Sequence, residues 1–243
     1  MAARFLTAEW RDLVMLNYEV DPGVLTALVP AGTVLDLWQG RALVSVVGFR
    51  FLHTRMLGLA IPGHVNFDEV NLRFYVRNEA PEGWRRGVVF VKEIVPRRAI
   101  AWVARTLYNE NYVALPMRHD IRQRPDVAAR QVAYEWRHGG RWCCAGLTAG
   151  ATPGGAAIPP PDSEATFITE HYWGYVRQRD GGTVEYRVEH PRWRVSAATD
   201  VTFECDVAAL YGAQFARFLA VPPASAFLAE GSPVTVRRGV RCG

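Results

Sequence analysis

The segment from Glu69 to Arg77, E-V-N-L-R-F-Y-V-R, constrains the fold most strongly, because polar and apolar residues alternate along it without a break. Successive side chains of a β-strand point to opposite faces, so a strand here has one apolar face and one polar face. The polar face carries hydrogen-bonding groups of both charges, namely Glu69, Asn71, Arg73, Tyr75 and Arg77. Such a face either contacts water, with ion pairs between strands, or lines an internal cavity, and the alternation alone leaves both interpretations open.

The cavity interpretation gives this strand a chemical role. A glutamate in a cavity suits proton transfer, and an arginine binds a carboxylate through two parallel hydrogen bonds. Glu69 is therefore the candidate acid or base and Arg73 the candidate anion-binding residue, with Asn71 and Tyr75 beside them as ligand-binding candidates. The alternative is a solvated strand face that binds nothing.

The returning strand, Gly87–Val95, contains the one lysine of the chain, Lys92. Regular alternation puts Lys92 on the same face as Val88, Phe90 and Ile94. A buried lysine has a lowered pKa and can form a Schiff base with a ketone. A lysine at a strand edge instead extends its charged end into water. Lys92 is thus the second catalytic candidate, weighed against a peripheral position.

The hydrophobic period changes at Pro96, which predicts a helix from about Pro96 to Tyr108. Arg97 and Arg98 then fall in its first turn, where each cation opposes the helix dipole by about 0.3–1 kcal/mol. A bound anion would offset this cost, and so would extension of both side chains into water. The pair is therefore either an anion-binding site or a basic corner of the surface.

The rest of the chain predicts a mainly β (α+β) fold in a single domain, residues 1–243. About ten strands and three short helices follow one another without a β-α-β pattern, which favours a curved, largely antiparallel sheet with helices packed on it. A Gly/Ala/Pro-rich loop at residues 148–162 does not divide the chain, because strands resume after it. Residues 53–64 predict a second loop, a candidate cover for a site. One amphipathic helix is predicted from Val207, Leu210, Tyr211, Phe215, Phe218 and Leu219.

Charge and motif content exclude several classes of protein. The net charge of +4 is small for 243 residues and predicts no nucleic-acid partner. No run approaches the roughly 18 apolar residues of a membrane helix, and the first ten residues lack a secretory signal. We therefore expect a cytoplasmic protein without membrane partners, whose four cysteines are free thiols. Nucleotide-binding, zinc-protease and serine-hydrolase motifs are absent, and the histidines show no metal-ligand spacing, so we expect neither metal nor cofactor.

These segments resemble one known superfamily. The run F-D-E-V-N-L-R-F-Y-V, followed by G-V-V-F-V-K-E-I-V-P-R-R-A-I-A, is similar to the acetoacetate decarboxylase-like superfamily. The chain resembles more closely its branch of uncharacterised bacterial YqjF-like proteins, a conserved domain of unknown function. Weaker marks of the branch are Trp10, the segment that ends at Pro30, Ala104-Arg105, and H-P-x-W at His190 to Trp193.

The resemblance implies a cone-like β-barrel whose central cavity is lined by the Glu69 strand. In the decarboxylases, a K-E-I-type strand leads to a pair of lysines, one of which forms the Schiff base while its charged neighbour lowers its pKa. The matching positions here are Arg97 and Arg98. Arginine stays protonated and cannot form that imine, so decarboxylase activity is not expected. Glu69 matches the pocket glutamate of the family.

Three functional hypotheses follow from the sequence. The first is a barrel that binds a small anionic organic molecule in a central cavity, without the Schiff-base lysine of the superfamily. The second is a lyase or aldolase-type enzyme that acts on a keto acid through Lys92. The third is a structural or interaction protein with a filled core and no active site. A homo-oligomer is compatible with all three.

Overall fold

The main chain is dominated by β-strands. The computed structural model describes residues 2–124, 129–150 and 155–242, so residues 151–154 of the predicted loop lie outside the described ranges. Within these ranges the strands are β1 Arg4–Val20, β2 Thr33–Leu35, β3 Ala42–Met56, β4 Phe67–Ala80, β5 Gly83–Val95, β6 Tyr112–Ala114, β7 Met117–Arg124, β8 Ala129–His138, β9 Arg141–Ala149, β10 Trp173–Arg177, β11 Thr183–Glu189, β12 Val195–Glu204, β13 Ser225–Arg237 and β14 Val240–Cys242. The helices are α1 Gly23–Thr26, α2 Arg98–Val103, α3 Glu164–Thr169, α4 Val207–Tyr211 and α5 Ala213–Leu219, and a π-helical segment at Ala104–Tyr108 continues α2.

Seven strands close into a hydrogen-bonded ring in the order β1, β3, β4, β5, β10, β11 and β13. The ring closes because β13 pairs with β1 along its length and with β11 at its end. All pairings within the ring are antiparallel except that of β5 with β10. From β13 the sheet continues outside the ring as an arm of β12, β9, β8 and β7. The prediction of a mainly β fold with a largely antiparallel sheet that closes on itself is confirmed.

A local irregularity bends the long strand β1 where the ring curves. Asp12 has a positive φ of 57°, and the register between β1 and β3 shifts between Arg11 and Val14. Such a β-bulge increases the twist of a strand and bends it. On the other side of β1, Gly231 of β13 lies opposite Arg11 and also has a positive φ of 75°.

Strand β4 is buried on both faces. Its apolar face, which includes Val70 and Leu72, belongs to the same buried cluster as Tyr134 and Trp136 of the arm. The arm therefore covers the outside of the ring at this point, and the polar face of β4 lies inside the ring. Glu69, Asn71 and Tyr75 of the polar row are buried and Arg73 and Arg77 are half-buried, so this face is not an open, solvated one.

The helices differ from the prediction in number and in bounds. Five α-helices occur in the described ranges where about three were predicted. The single helix predicted around Leu210 is two helices, α4 and α5, because the backbone leaves the helical region at Gly212. The helix predicted from Pro96 begins instead at Arg98. None of the helices in the described part of the chain combines the length and the apolar character that crossing a bilayer requires.

Candidate functional site

The ring encloses a cavity of about 280 Å³ with mostly apolar walls. This volume lies close to the lower end of the roughly 300–1,000 Å³ typical of ligand pockets. One end is bordered by α2, through Ile100 and Val103, and by the loop after β3, through Ile61 and His64. The loop predicted at residues 53–64 is shorter than expected, because β3 continues to Met56. Ile61 and His64 of its remaining part line the cavity, and a role of this loop as a cover stays a prediction.

Three members of the predicted polar row line the cavity: Glu69, Asn71 and Arg73. Glu69 and Asn71 are each only 2% exposed. Tyr75 is buried further along the strand, where its hydroxyl lies 2.5 Å from Ser45 Oγ. Arg77 lies at the far end of the row and stacks on the ring of Trp84. The inward part of the row is therefore Glu69 to Arg73.

The Glu69 carboxyl accepts two hydrogen bonds inside the cavity. Asn71 Nδ2 donates to Oε1 at 3.0 Å, and the hydroxyl of Tyr112 donates to Oε2 at 3.1 Å. Burial raises the pKa of Glu69 to about 7, although both hydrogen bonds and the charge of Arg73 act to lower it. Near neutral pH this carboxyl therefore exchanges readily between its protonated and ionised forms.

Two further glutamates complete a buried carboxyl cluster with Glu69. Glu93 of β5 lies opposite Asn71 in the sheet, and Glu110 follows the π-helical segment. The hydroxyl of Tyr186 donates to Glu110 Oε1 at 3.1 Å. Burial is the main cause that raises the pKa of Glu110 to about 8. Burial and the neighbouring carboxyls raise the pKa of Glu93 well above its ordinary value.

One carboxyl oxygen of Glu93 has no hydrogen-bond partner among the described residues. The residue is 2% exposed and interacts with Tyr112 and Glu110, but its Oε2 is buried without a partner in the described structure. Buried polar atoms in folded proteins nearly always have a partner, so this oxygen is a candidate contact for a ligand or water.

A β-bulge in β5 explains why Glu93, and not Lys92, faces the cavity. Lys92 pairs with Leu72, but the next pair joins Arg73 to Phe90, so Val91 is an extra residue. The bulge reverses the alternation, and the expectation that Lys92 shares a face with Val88 and Phe90 is wrong. Val88 and Phe90 line the cavity, whereas Lys92 lies outside its wall, on the face of the sheet that carries Leu72.

Arg73 supplies the positive charge of the cavity. Its Nη2 donates to the carbonyl oxygen of Ile168 at 3.3 Å, and its buried Nε has no acceptor among the described residues. The guanidinium also lies 5.7 Å from the centre of the Tyr75 ring. Arg73 therefore has N–H groups available to bind an acceptor.

A neutral histidine lies beside Arg73. His171 Nε2 is 3.1 Å from Asp36 Oδ2, and Arg86 Nε donates to the same oxygen at 2.6 Å. Burial lowers the pKa of His171 to about 4. Burial acts to raise the pKa of Asp36, but the hydrogen bonds from His171 and Arg86 outweigh it and lower the pKa. The carboxylate thus fixes the proton on Nε2 and leaves Nδ1, which is buried without a partner in the described structure, as a hydrogen-bond acceptor.

Arg97 and Arg98 do not belong to this site. Both side chains are exposed, and neither lines the cavity. Arg97 is the residue before α2 and Arg98 is its first residue, so both extend into solvent from a short helix. The structure therefore separates the two arginines from Glu69 and Arg73.

Sequence reasoning missed most of the site that the fold assembles. Its members outside the predicted row are Glu93, Glu110, Tyr112, His171 and Tyr186. The signal for Tyr112 and Tyr186 was their position on predicted strands, but no pattern indicated which face would turn inward. The described residues include no group of three or more His, Cys, Asp or Glu side chains arranged to hold a metal ion.

Solved structures with a similar fold come from the acetoacetate decarboxylase-like group. Acetoacetate decarboxylase from Legionella pneumophila has a TM-score of 0.65 and 13% identity. The match covers 99% of this chain and 88% of the decarboxylase chain. The enduracididine biosynthesis enzyme MppR, complexed with pyruvate, has a TM-score of 0.67 and 14% identity. That match covers 99% of this chain and 91% of the MppR chain. An acetoacetate decarboxylase-like enzyme from Sphingomonas wittichii RW1 matches 98% and 92%, with a TM-score of 0.62 and 15% identity. These similarities establish the fold.

Sequence comparison identifies the family. The uncharacterised protein YqjF of Bacillus subtilis (strain 168) is 31% identical over 112 residues. That match spans 46% of this chain and 45% of the relative, so it covers less than half of the curated protein. The sequence profile of the uncharacterised conserved proteins called DUF2071 matches residues 7–233. The chain therefore belongs to the DUF2071 family.

Proposed function

We propose that this protein binds a small organic acid in the cavity, with the acid's carboxylate on Arg73. The observation that carries the proposal is the buried Nε of Arg73, which has no acceptor among the described residues. A charged donor without a partner in an apolar cavity is costly, and a carboxylate satisfies its N–H groups in a planar, two-pronged contact. The neutral state of His171 leaves Arg73 as the main cationic group at this place.

The remainder of the cavity selects the rest of the ligand. Its mostly apolar walls suit a short hydrocarbon part. The cluster of Glu69, Glu93 and Glu110 suits an oxygen atom that accepts a hydrogen bond, because burial keeps much of the cluster protonated near neutral pH. A small oxo acid has both features, and the structurally similar enzyme MppR has been crystallised with pyruvate. This supports a ligand of that class.

A thermal-shift experiment tests the proposal. At a ligand concentration about 100 times Kd, binding stabilises the fold by about 2.7 kcal/mol, which raises Tm by roughly 5–10 °C for a domain of this size. We expect such a rise with oxo and hydroxy acids, and a much smaller one with the corresponding neutral amides or with alkylamines. Arg73→Met is expected to weaken binding at least about 30-fold, since a buried partner of a charged group contributes roughly 2 kcal/mol or more.

Arg97→Met is the matched control, because it removes the same charge from the exposed end of α2. It should leave the response unchanged. If no acid raises Tm, or if Arg73→Met responds as the wild type does, the proposed binding site is wrong. A response to alkylamines that exceeds the response to acids would point to the glutamates, and not Arg73, as the binding group.

The second candidate function, imine chemistry through Lys92, has less support. Lys92 lies on the face of β5 opposite the cavity, and the resemblance to the decarboxylases implies that Arg97 and Arg98 replace the lysine pair. We expect that borohydride treatment with acetoacetate or pyruvate gives no covalent adduct by intact mass. An adduct that appears in the wild type and is lost in Lys92→Ala would restore this hypothesis. The third candidate, a filled interior without a site, is disfavoured by the cavity beside Glu69.

A further inference from the structure

We propose that the cavity catalyses keto–enol proton exchange on its bound acid, with Glu69 as the base and the pair Glu93–Glu110 as the acid. This rests on the proposed function, because the acid is the substrate. It goes further in assigning a reaction, and in requiring that the ligand carry a ketone with hydrogen on the adjacent carbon. No lysine takes part.

The hydrogen-bond partners of Glu69 favour its ionised, carboxylate form. Its two oxygens accept hydrogen bonds from Asn71 and Tyr112, and both donors favour the ionised form. The positive charge of Arg73 acts in the same direction. The pKa of Glu69, about 7, also lies below that of Glu110, about 8, so Glu69 ionises before Glu110 as the pH rises.

The surroundings of Glu93 and Glu110 favour the protonated form of their carboxyls. Among the described residues, neither has a cation as a partner, and each lies close enough to the other and to Glu69 to disfavour a second negative charge. Two carboxyls in such contact share a proton. Glu93 Oε2 is buried, unpartnered among the described residues and in the cavity wall, so it is the oxygen that can present this proton to a ligand.

The step is balanced within the cavity. The Glu69 carboxylate removes a proton from the carbon next to the ketone, and the C–H electron pair forms a carbon–carbon double bond. The electron pair of the C=O π bond takes the proton of Glu93, which gives the enol. Glu93 becomes the carboxylate and Glu69 the acid, so no oxidant, reductant or leaving group is needed. Glu69 can then exchange its proton with water. When the reaction runs in reverse, the ketone forms again with a hydrogen from the solvent on its carbon.

The spacing of the site sets the range of substrates to examine. Glu69 and Arg73 are four residues apart on one strand, which separates their Cα atoms by about 13 Å. Two long side chains that lean toward each other shorten this distance, but it favours a ketone several carbons away from the carboxylate. The substrate series should therefore run from 2-oxo to 5-oxo acids of four to seven carbons.

The test is deuterium incorporation, followed by proton NMR of each oxo acid with the full-length protein in D₂O. We expect exchange next to the ketone at least about 100-fold faster than in buffer for an acid that also raises Tm. Glu69→Gln should remove most of this acceleration, by about 100-fold, while the acid still raises Tm. Tyr112→Phe, which removes one donor to Glu69, should lower the rate without abolishing it.

Two control variants keep the outcome interpretable. Glu230→Gln changes a half-exposed glutamate that pairs with Arg194 far from the cavity wall, and Lys92→Ala removes the lysine, so both should exchange at the wild-type rate. Thermal unfolding of each variant checks that it folds. If acids bind but none exchanges faster than in buffer, the enolisation proposal is overturned and the binding proposal stands. If no acid binds, both fail. Loss of exchange in Lys92→Ala would replace the carboxyl mechanism with an imine.

Discussion

Raising the pH from 6.5 to 8.0 is expected to lower the free energy of unfolding by at least about 2 kcal/mol, or the Tm by roughly 4–8 °C. The cause is the carboxyl cluster in the cavity. Glutamates of the unfolded chain ionise near 4.5, whereas burial raises the pKa of Glu69 to about 7 and that of Glu110 to about 8 in the fold, with Glu93 also raised. The folded state therefore holds protons that the unfolded chain has already released.

The sign follows from this difference in bound protons. Unfolding releases protons in this range, so stability falls as the pH rises. The contribution of the glutamates is fully present below about pH 4.5 and is lost as the pH passes through the folded pKa values of about 7 and 8. Burial lowers the pKa of His171 to about 4, which gives an opposite slope, but that slope ends near the ordinary histidine value of 6.5. His190, whose pKa is also lowered, behaves likewise.

Unfolding in urea at several pH values measures this effect. Glu110→Gln should reduce the fall between pH 6.5 and 8.0 by roughly a third and should be more stable than the wild type at pH 8.0, because it removes one buried ionisation. Glu230→Gln, on the surface, should leave the slope unchanged. A stability that is flat or rises between pH 6.5 and 8.0 would show that these carboxyls are not kept from water.

Gly231→Ala is expected to destabilise the protein by more than about 4 kcal/mol or to prevent folding. A Cβ atom at this position would lie 2.0 Å from the carbonyl oxygen of Trp10 and 2.7 Å from Leu13 Cδ1. The oxygen cannot retreat, because Trp10 is paired on both sides, with Phe51 of β3 and with Ser232 of β13. The clash lies at the pairing of β1 with β13 that helps to close the ring.

Gly63→Ala separates this clash from the backbone preference of glycine. Gly63 has a φ of 74°, almost the same as the 75° of Gly231, but nothing lies within 4 Å of its added Cβ. It should cost only about 1–2 kcal/mol, the usual penalty for a side chain in this conformation. The yield of folded protein and the urea midpoint compare the two variants. Equal costs would mean that β1 and β13 are not packed as described.

The sequence predicted the structure best where a strand is regular and each of its faces has one kind of surroundings. Strict alternation in β4 located a strand and grouped its polar residues on one face, and three of these residues, Glu69, Asn71 and Arg73, line the cavity. The sequence D-G-G at residues 180–182, which is typical of a hairpin turn, likewise lies between the paired strands β10 and β11. Resemblance to the acetoacetate decarboxylase-like superfamily supplied the closure of the sheet, which pairs strands far apart in sequence, such as β11 with β13.

The parts that could not be predicted depend on irregular backbone. One extra residue, Val91, reverses the faces of β5, so Glu93 enters the cavity and Lys92 leaves it. Alternation assumes a regular strand, and nothing in the local sequence marks the bulge. Glu110 comes from the turn after a π-helical segment, where no period applies. Arg97 and Arg98 sit beside a helix start as the sequence suggested, but the helix lies at the rim of the ring and turns them outward.

The ring keeps a row of carboxyl groups from water, and the ionisation of those groups tests this arrangement most directly. A ¹³C NMR titration of the glutamate side-chain carboxyls measures it, with assignments from Glu69→Gln, Glu93→Gln and Glu110→Gln. We expect midpoints of about 7 for Glu69 and about 8 for Glu110, and a midpoint for Glu93 well above the ordinary glutamate value. Midpoints near the ordinary glutamate value of 4.5 for all three would contradict the account, since the carboxyls would then face water.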